Sequence, residues 1–463
     1  MGSDDNHYDI IIIGGGSAGY AAARTALDYT KSVAVVDSAT DLGGLCILNG
    51  CMPSKTLLYS AEIAHIGSRG DALGLKMDKP RIDVRKLQDR KKRLVGEFAD
   101  YRKRQLQDGR FTLYRSRARF LDHLTIVLDD GTELWADKYV IATGSRVNQP
   151  AIPGLDSIRA LTSNDILSLS VLPPNMIVLG GGIVACELAQ YLNRAGVKVT
   201  MIQRSPFLIK EMSPDASQAV RKALEDEGIL IHTGTKIRKV AQSGESVIVH
   251  FEKEGISHFA MADNLFNALG RIPNTATLDL DNADVQLASS GHIETNMNQQ
   301  TTNPAIYAAG DCAGPHEIVH IAIMQGENAV HHALGSKPYE IDYDKMLKIV
   351  FTDPQVACVG LTRKEMHERG IDFIESSYPF FDHGKSIVMD AFYGYVRVFA
   401  QKSDRTIIGA ECVGRDASEV IHALSVAVAT GQTVESMLKV HWYHPTLSEI
   451  WTYPLEDIRD ALN

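Results

Sequence analysis

The chain has 463 residues, a formal net charge of −10 and six cysteines. That length predicts two to four domains, each large enough to have its own core. The negative charge argues against nucleic acid or an anionic membrane as the main partner, and we interpret the basic run at residues 90–93 as a solvated helix face. No apolar run approaches the ~20 residues that a membrane-spanning helix requires.

The start of the chain and the cysteine content predict a cytoplasmic protein. Residues 1–7 lack the charged and apolar regions of a signal peptide. Six cysteines are too sparse in a chain of this length for a secreted disulfide framework. In a reducing compartment, a disulfide is more often catalytic than structural.

The first predicted elements have the order of a dinucleotide-binding unit. The apolar run Tyr8–Ile13 precedes a glycine-rich turn, a helix and a second strand that closes on Asp37. In this fingerprint Gly14 makes the turn, Gly16 lets a pyrophosphate approach the backbone, and Gly19 allows close helix packing. Asp37 can accept a hydrogen bond from a ribose 2′-OH. The alternative is a glycine-rich loop without a ligand.

The next stretch, from Gly43 to Lys55, contains Cys46 and Cys51 in a C-x4-C spacing. In a regular helix their Cα atoms would lie roughly 8 to 9 Å apart, beyond the ~7 Å limit for a disulfide. We predict a redox-active disulfide at a distorted helix start, which Gly50 permits and where the helix N-terminus stabilises a thiolate. The alternative is a pair of inert buried cysteines near a turn.

A charged helical pattern and several short strands follow. The helical pattern covers residues 63–106, and strands are predicted near residues 112–114, 118–121, 124–128 and 138–144. Pro150, Pro153 and Gly154 then break the pattern. We place the first domain boundary there.

A second strand, glycine turn, helix and strand begin at residue 176, so the nucleotide-binding unit is an internal repeat. Gly180 and Gly182 begin its turn, and Gln203 followed by Arg204 stands where the first unit has Asp37. A carboxylate there repels a 2′-phosphate, whereas Gln203 and Arg204, with Lys210 as a further candidate, would tolerate or attract it. We therefore expect NADP(H) rather than NAD(H) at the second site. The alternative is that Arg204 is only a surface arginine.

The last third of the chain changes character. A short strand ends at Gly310 and Asp311, and a helical stretch covers residues 318–334. In isolation, Asp311 could equally be an exposed acid in a turn. From residue 337, strands near 394–400 and 406–412 alternate with helices near 417–429 and 434–439, which predicts a separate α+β unit.

With these motifs, the chain resembles the class I pyridine nucleotide–disulfide oxidoreductases over nearly its whole length, and its end is most similar to the dihydrolipoamide dehydrogenases. The resemblance implies an α/β fold with two Rossmann-like nucleotide-binding domains and a C-terminal α+β dimerisation domain. The implied bounds are residues 1–150 and 275–336 for FAD, 151–274 for NAD(P) and 337–463 for dimerisation. The matching motifs are G-G-x-C-x4-C-x-P-S-K at 43–55, A-T-G at 142–144, L-G-R-x-P-N at 269–274, T-x4-Y-A-x-G-D at 302–311 and H-P-T-x-x-E at 444–449.

The resemblance also implies roles for individual residues near the flavin. Cys46 would be the thiol that exchanges with a substrate disulfide, and Cys51 the thiol that faces the flavin. Lys55 would lie beside the flavin with Glu187 as its salt-bridge partner. The other implied cofactor-binding positions are Gly44, Thr143, Gly144, Gly270 and Asp311, of which Asp311 would hold the ribityl chain.

For the C-terminal motif, the resemblance implies a base. His444 would take a proton from Cys46 or a dithiol substrate, and Glu449 would orient the imidazole. In the family this pair reaches the disulfide of the other subunit of a homodimer, and the bond between His444 and Pro445 is cis in relatives.

The expected function is electron exchange between NAD(P)H and a small disulfide or dithiol, lipoamide-like, with FAD as cofactor and no metal site. A glutathione reductase-like enzyme stays open because of Gln203 and Arg204. A mercuric-type metal-ion reductase is disfavoured because no cysteine follows Cys412 in these residues, although metal reduction by the Cys46–Cys51 pair alone stays open. A flavoprotein sensor without turnover has no need of two cysteines, a histidine and a glutamate together.

Overall fold

The computed structural model describes residues 6–335 and 340–463. Two predictions concern residues outside this part of the chain. They are the absence of a signal peptide, as far as it rests on residues 1–5, and the domain boundary between residues 336 and 337. None of the described helices combines the length with the apolar character that a membrane span needs.

Apolar, β-branched strands form the first sheet, since strands covered on both faces must be apolar throughout. Its order is β3-β2-β1-β6-β5-β4, and the three strands β3, β2 and β1 are parallel to one another and to β6. The elements of this part are β1 (His7–Ile13), α1 (Ser17–Ala26), β2 (Val33–Val36), α2 (Gly44–Asn49), α3 (Cys51–Ser68), α4 (Val84–Leu106), β3 (Thr112–Tyr114), β4 (Ala118–Phe120), β5 (Thr125–Leu128), β6 (Glu133–Ile141) and β7 (Ser145–Val147).

The second unit repeats the pattern with a four-stranded parallel sheet, β10-β9-β8-β14, and adds a three-stranded antiparallel sheet, β11-β12-β13. Its elements are α5 (Ser163–Ser168), β8 (Asn175–Leu179), α6 (Ile183–Arg194), β9 (Lys198–Ile202), α7 (Pro214–Asp226), β10 (Leu230–His232), β11 (Thr235–Ser243), β12 (Ser246–Lys253), β13 (Ile256–Ala262), β14 (Asn264–Asn267) and β15 (Arg271–Pro273). The chain then returns to the first sheet, where β16 (Ile306–Ala308) pairs with β6 and is followed by α8 (Val319–Ala333).

An antiparallel five-stranded sheet, β17-β18-β21-β20-β19, is the centre of the C-terminal part. Helices cover it, with Trp451 fully buried between them. The predicted fold class, two Rossmann-like units and a C-terminal α+β unit, is confirmed. The elements are β17 (Leu347–Val350), β18 (Gln355–Gly360), α9 (Arg363–Glu368), β19 (Phe373–Pro379), α10 (Gly384–Val388), β20 (Tyr395–Gln401), β21 (Ile407–Gly414), α11 (Ala417–Val420), α12 (His422–Thr430), α13 (Val434–Leu438) and α14 (Thr452–Ala461).

Two local predictions need correction. The helix predicted over residues 417–429 is divided into α11 and α12, because the carbonyl of Val420 accepts a hydrogen bond from the buried indole of Trp451 (3.1 Å). The basic run at residues 90–93 is not wholly solvated, since Lys91 is buried and its Nζ donates to the carbonyl of Leu167 (2.9 Å). Both contacts join residues that are distant in the sequence, and no local pattern reports them.

Candidate active site

The glycine turn after β1 presents bare backbone to the start of α2. A Cβ atom at Gly19 would overlap the carbonyl oxygen of Gly14, so helix α1 packs closely against the turn. Gly44 has φ +71°, and a Cβ there would lie 2.6 Å from the Cα of Gly16. Because neither position has room for a side chain, the backbone of the turn packs directly against α1 and against the start of α2, and both positions require glycine.

Asp37 lies at the carboxyl end of β2, beside this turn. Its Oδ2 accepts a hydrogen bond from the backbone N–H of Gly15 (2.7 Å), and its Oδ1 accepts one from Ala39 (2.7 Å). Each carboxylate oxygen can accept a second hydrogen bond. The side chain is therefore fixed in a position to bind a ribose hydroxyl while keeping acceptor capacity.

A polar cluster beyond β6 joins residues from three parts of the chain. The Ser145 hydroxyl donates to Asp311 Oδ2 (2.6 Å), and Arg271 Nε donates to Ser145 Oγ (2.8 Å). The Thr143 hydroxyl donates to the carbonyl of Asn274 (2.7 Å). Burial lowers the pKa of Arg271. The cluster fixes the carboxylate of Asp311 next to the first nucleotide unit, which fits the expected hold on a ribityl chain.

Ser145 and Arg271 are site residues that were not predicted. Ser145 directly follows the A-T-G motif, and Arg271 is the arginine of the L-G-R-x-P-N motif. The pairing that joins them, β15 with β7, puts Arg271 opposite Val147 and Pro273 opposite Ser145. This antiparallel pairing of distant segments was the missing information.

The second glycine turn resembles the first in geometry. A Cβ at Gly180 would clash with the carbonyl of Ala268, whereas a Cβ at Gly182 or Gly270 would meet no atom of the described chain within 4 Å. The backbone of Gly182 therefore borders open space at the start of α6. A phosphate approaching that helix N-terminus would find free N–H groups and the positive end of the helix dipole.

Gln203 occupies the position that Asp37 has in the first unit. A Cβ on Gly181 would lie 3.0 Å from Gln203 Cγ, as a Cβ on Gly15 would lie 2.8 Å from Asp37 Oδ2. The Gln203 amide is held locally, accepting from the N–H of Arg204 (3.1 Å) and donating to the carbonyl of Phe207 (3.3 Å). The site therefore has a neutral side chain where the first unit has a carboxylate.

Helices α2 and α3 carry the two cysteines and meet at a sharp bend. Cys46 lies within α2, Cys51 is the first residue of α3, and Gly50 between them has φ −134° and ψ −115°. A Cβ at Gly50 would approach the carbonyl oxygen of Leu45 to 2.9 Å. The bend that a disulfide at this spacing requires is thus present, although both cysteines are free thiols in the structure.

The two thiols are chemically unequal. A hydrogen bond from Cys46 lowers the pKa of Cys51 to about 7, assisted by the nearby charge of Lys55 and opposed by burial. The pKa of Cys46 is raised well above its usual value by its hydrogen bond to Cys51, by burial and by the Cys51 charge. Near neutral pH the pair therefore holds one thiolate, on Cys51, and one thiol, on Cys46.

Lys55 is held by a carboxylate from the second nucleotide unit. Its Nζ lies 2.8 Å from Glu187 Oε2, and Glu187 is only 3% exposed. The other carboxylate oxygen accepts from the backbone N–H of Phe351 (2.9 Å), and the Lys55 ammonium lies 4.6 Å from the Phe351 ring centroid. All three parts of the chain therefore meet at this one ion pair, next to the cysteines.

Lys55→Met is expected to raise the pKa of Cys51 above its value of about 7, by about one unit, because an attractive positive charge is removed. The thiolate absorbance of the reduced protein would then appear at higher pH, with Cys51→Ser as the blank. Lys55→Arg keeps the charge and should titrate like the wild type. A Lys55→Met titration identical to the wild-type curve would contradict this account.

His444 and Glu449 form a hydrogen-bonded pair at the surface of the C-terminal unit. His444 Nδ1 lies 3.0 Å from both carboxylate oxygens of Glu449, and the peptide bond between His444 and Pro445 is cis. The histidine side chain is 78% exposed, whereas that of Glu449 is 13% exposed. No hydrogen bond or ion pair joins His444 to either Cys46 or Cys51 within residues 6–335 and 340–463.

The described residues contain no group of three or more His, Cys, Asp or Glu side chains arranged to hold a metal ion. The candidate site therefore consists of two nucleotide-binding turns, a polarised thiol pair with its lysine, and a separate histidine–glutamate pair.

Comparison with known proteins identifies the family. The profile of the pyridine nucleotide-disulphide oxidoreductases matches residues 8–326, and that of their dimerisation domain matches residues 346–454. Mercuric reductase from Lysinibacillus sphaericus is 34% identical over 96% of this chain and 82% of its own. A dihydrolipoyl dehydrogenase from Bacillus subtilis is 31% identical over 95% of this chain and 96% of its own.

Among solved structures, LpdA from Mycobacterium tuberculosis superposes with a TM-score of 0.88 at 26% identity, covering 97% of this chain and 99% of that one. The family profiles and this structural match each extend over most of the chain. The chain belongs to the pyridine nucleotide-disulphide oxidoreductase family, whose members use FAD and NAD(P)H.

Proposed function

We propose that the chain passes electrons between NAD(P)H and the Cys46–Cys51 pair and on to a small disulfide or dithiol, as a dihydrolipoamide dehydrogenase-like enzyme. The unequal cysteines are the observation that supports this most. A thiolate on Cys51 suits the flavin side of the pair, and a protonated Cys46 suits exchange with a substrate once a base removes its proton.

FAD would be held by the Gly14 turn, Asp37, Gly44 and the Asp311 cluster, and when bound it would supply the electron path between nicotinamide and the cysteines. Glycines in the turn and at the start of α2 bring backbone rather than side chains to this place, which suits a pyrophosphate.

The proposed exchange is balanced by the chain's own residues. His444 takes the proton of Cys46, whose thiolate attacks a substrate disulfide to form a mixed disulfide, and the leaving thiolate takes that proton from His444. The thiolate of Cys51 then attacks Cys46, which releases the second substrate sulfur as a thiolate and forms the Cys46–Cys51 disulfide. Oxidation of a dithiol substrate is the reverse, and the reduction potentials of the two couples set the direction.

Steady-state kinetics with lipoamide and glutathione disulfide, each against NADH and NADPH, test the substrate. We expect turnover of a small disulfide, highest with lipoamide. A rate at background level with every disulfide and dithiol would overturn the proposal. A higher kcat/KM for glutathione disulfide would favour the glutathione reductase-like alternative, which the neutral Gln203 and the cation of Arg204 keep open.

A second candidate function is reduction of a soft metal ion such as Hg(II). Two relatives at 34% identity are mercuric reductases, which favours this candidate. Among the described cysteines, only Cys46 and Cys51 could bind the ion. The other four lie in the hydrophobic cores or pack against them. The same assay with Hg(II) as acceptor distinguishes it, since a metal reductase would consume NADPH with Hg(II) and not with lipoamide.

For the nicotinamide cofactor we propose a preference for NADP(H). Gln203 is neutral where the FAD unit has Asp37, and Arg204 is exposed beside it. The described residues offer no ion-pair partner to the Arg204 guanidinium, so it is available to a 2′-phosphate.

Arg204→Ala should raise the KM for NADPH about tenfold and leave the KM for NADH nearly unchanged, because only NADPH carries the phosphate. Lys198→Ala is a matched control, since it removes an exposed cation from the opposite, amino end of β9. Equal effects on both cofactors, or a higher kcat/KM with NADH in the wild type, would contradict the preference.

We propose that the enzyme is a homodimer in the cytoplasm, with His444 acting on the disulfide of the partner subunit. The match to the dimerisation domain supports the dimer. The exposed pair Tyr443 and His444, at 79% and 78%, supports a role outside its own subunit. The division into residues 1–150 with 275–336, 151–274 and 337–463 is proposed with it. The pairing of β7 with β15, where the chain leaves the first unit and returns, supports the two inner boundaries.

A further inference from the structure

A second histidine, His383, lies behind the histidine–glutamate pair and has no place in the proposed exchange. It precedes α10 and is completely buried, as is Ser386 one turn further on. His383 Nε2 lies 3.5 Å from Glu449 Oε1, and Nδ1 lies 2.9 Å from the Ser386 hydroxyl. The ring thus stands between a hydroxyl and the carboxylate that contacts His444.

The polarity of these contacts defines one protonation state. Nε2 is a buried atom without a hydrogen-bond partner among the described residues, and Glu449 Oε1 is the acidic oxygen next to it. A carboxylate can only accept, so Nε2 must carry the hydrogen if the two are to interact. Nδ1 of a neutral ring is then the acceptor for the Ser386 hydroxyl, which can rotate to donate.

The same reasoning extends to His444. Glu449 accepts from His444 Nδ1, so Nδ1 carries the hydrogen and Nε2 is left as the exposed lone pair. Ser386 then donates to His383 and His444 donates to Glu449, while the N–H of His383 faces Glu449 Oε1 in a 3.5 Å polar contact that is not a hydrogen bond. Every donor in this row faces an acceptor.

We propose that His383 is a positioning residue. Its neutral imidazole orients Glu449 and thereby holds His444 in the tautomer whose Nε2 accepts a proton. The inference deepens the proposed function and rests on it, because His444 must be the base. His383 acts only through Glu449 and contacts neither substrate nor cofactor in this account.

The surroundings of His383 favour the neutral ring. The titratable groups that face it are Glu449 and His444 from the segment before α14, and Tyr453 from α14 itself, whose ring centroid is 6.3 Å away. The neighbouring carboxylate of Asp382 is bonded to the Tyr378 hydroxyl (2.9 Å). Burial lowers the pKa of His383, opposed by Glu449 and assisted by the charge of His444.

The test compares His383→Leu, which removes the N–H and fills the space, with His383→Gln, which keeps an N–H donor. In the holoenzyme, His383→Leu should lower kcat/KM for the disulfide substrate about tenfold. It should also shift the acid limb of the pH profile upward by about half a unit or more, because Glu449, no longer sharing its charge with an N–H, binds the protonated His444 more strongly. His383→Gln should restore most of both effects, and flavin reduction by NADPH should be unchanged in both variants.

A merely structural His383 would lower the amount of folded enzyme without moving the acid limb, so the melting temperature is measured in parallel. An acid limb at the wild-type pH in His383→Leu, or equal losses with Leu and Gln, would overturn the inference. Ser386→Ala should lower kcat/KM and shift the acid limb in the same direction but by less. His383 keeps its N–H in this variant and loses only the hydrogen bond that the Ser386 hydroxyl donates to Nδ1.

Nuclear magnetic resonance of ¹⁵N-histidine-labelled oxidised holoenzyme separates this inference from the proposed function. We expect His383 as the neutral Nε2–H tautomer at pH 7, with the assignment made from the His383→Gln spectrum. A doubly protonated His383 or the Nδ1–H tautomer would overturn the inference even in an active enzyme. Absence of turnover with any disulfide would overturn the proposed function, whichever tautomer is found.

Discussion

Cys46→Ser is expected to lower the rate of disulfide reduction by at least about a thousandfold, because a serine hydroxyl cannot replace a thiolate as the exchanging nucleophile at neutral pH. Reduction of bound FAD by NADPH should continue at the wild-type rate, since Cys46 is the cysteine farther along the proposed electron path. The variant would thus separate the two halves of the reaction.

The thiolate of Cys51 should persist in Cys46→Ser, because the hydrogen bond from Cys46 is the largest cause of its lowered pKa and a serine hydroxyl can still donate to the thiolate. Stopped-flow absorbance follows flavin reduction and the long-wavelength band of a thiolate beside flavin. Cys51→Ser should lose that band.

Cys358→Ser is the matched control for these variants, since Cys358 packs near Met212 away from the site. It should keep wild-type disulfide reduction. A Cys46→Ser enzyme that still reduced the disulfide near the wild-type rate would contradict the assignment of Cys46 as the exchange thiol.

The nucleotide-binding units could be predicted because their signals are local. A strand, a glycine turn, a helix and a strand follow one another within about 30 residues. In each unit the end of the second strand lies beside the glycine turn, as predicted. Asp37 lies beside the turn at Gly14, and Gln203 lies beside the turn at Gly180. The bend at Gly50 is local too, and the spacing of the cysteines demanded it.

The remaining parts of the site depend on contacts between distant segments. Ser145 meets Arg271 only because β7 pairs with β15, and the sequence holds no sign of that register. His383 reaches Glu449 across the fold of the C-terminal unit, with 65 residues between them. In both cases the residue type alone does not indicate a functional site. Burial beside a charged partner, which only the structure shows, makes the residue a candidate.

His444→Gln is expected to lower the rate of the disulfide half-reaction by about a hundredfold to ten-thousandfold, the range for loss of a general base. Flavin reduction by NADPH should stay unchanged. The disulfide half-reaction slows because the pKa of Cys46 is raised, so that this thiol stays protonated near neutral pH unless a base removes the proton. Rapid mixing of the reduced enzyme with substrate measures this step, and a loss of less than about threefold would contradict the role of His444.

Whether the base acts between subunits can be decided with a heterodimer of one Cys46→Ser chain and one His444→Gln chain, purified through two different tags. If His444 serves the partner's disulfide, the His444→Gln chain supplies an intact Cys46 to the intact His444 of the Cys46→Ser chain. One of the two sites is then complete, and about half of the wild-type activity per dimer is expected.

If His444 instead serves its own subunit, each chain of that heterodimer lacks one essential group. Activity then stays at the level of the two inactive homodimers. The single chain favours the first result, because 78% of the His444 side chain is exposed and, among the described residues, no hydrogen bond or ion pair joins it to either cysteine. The same exposure explains why Glu449, at 13%, must fix the ring from the protein side.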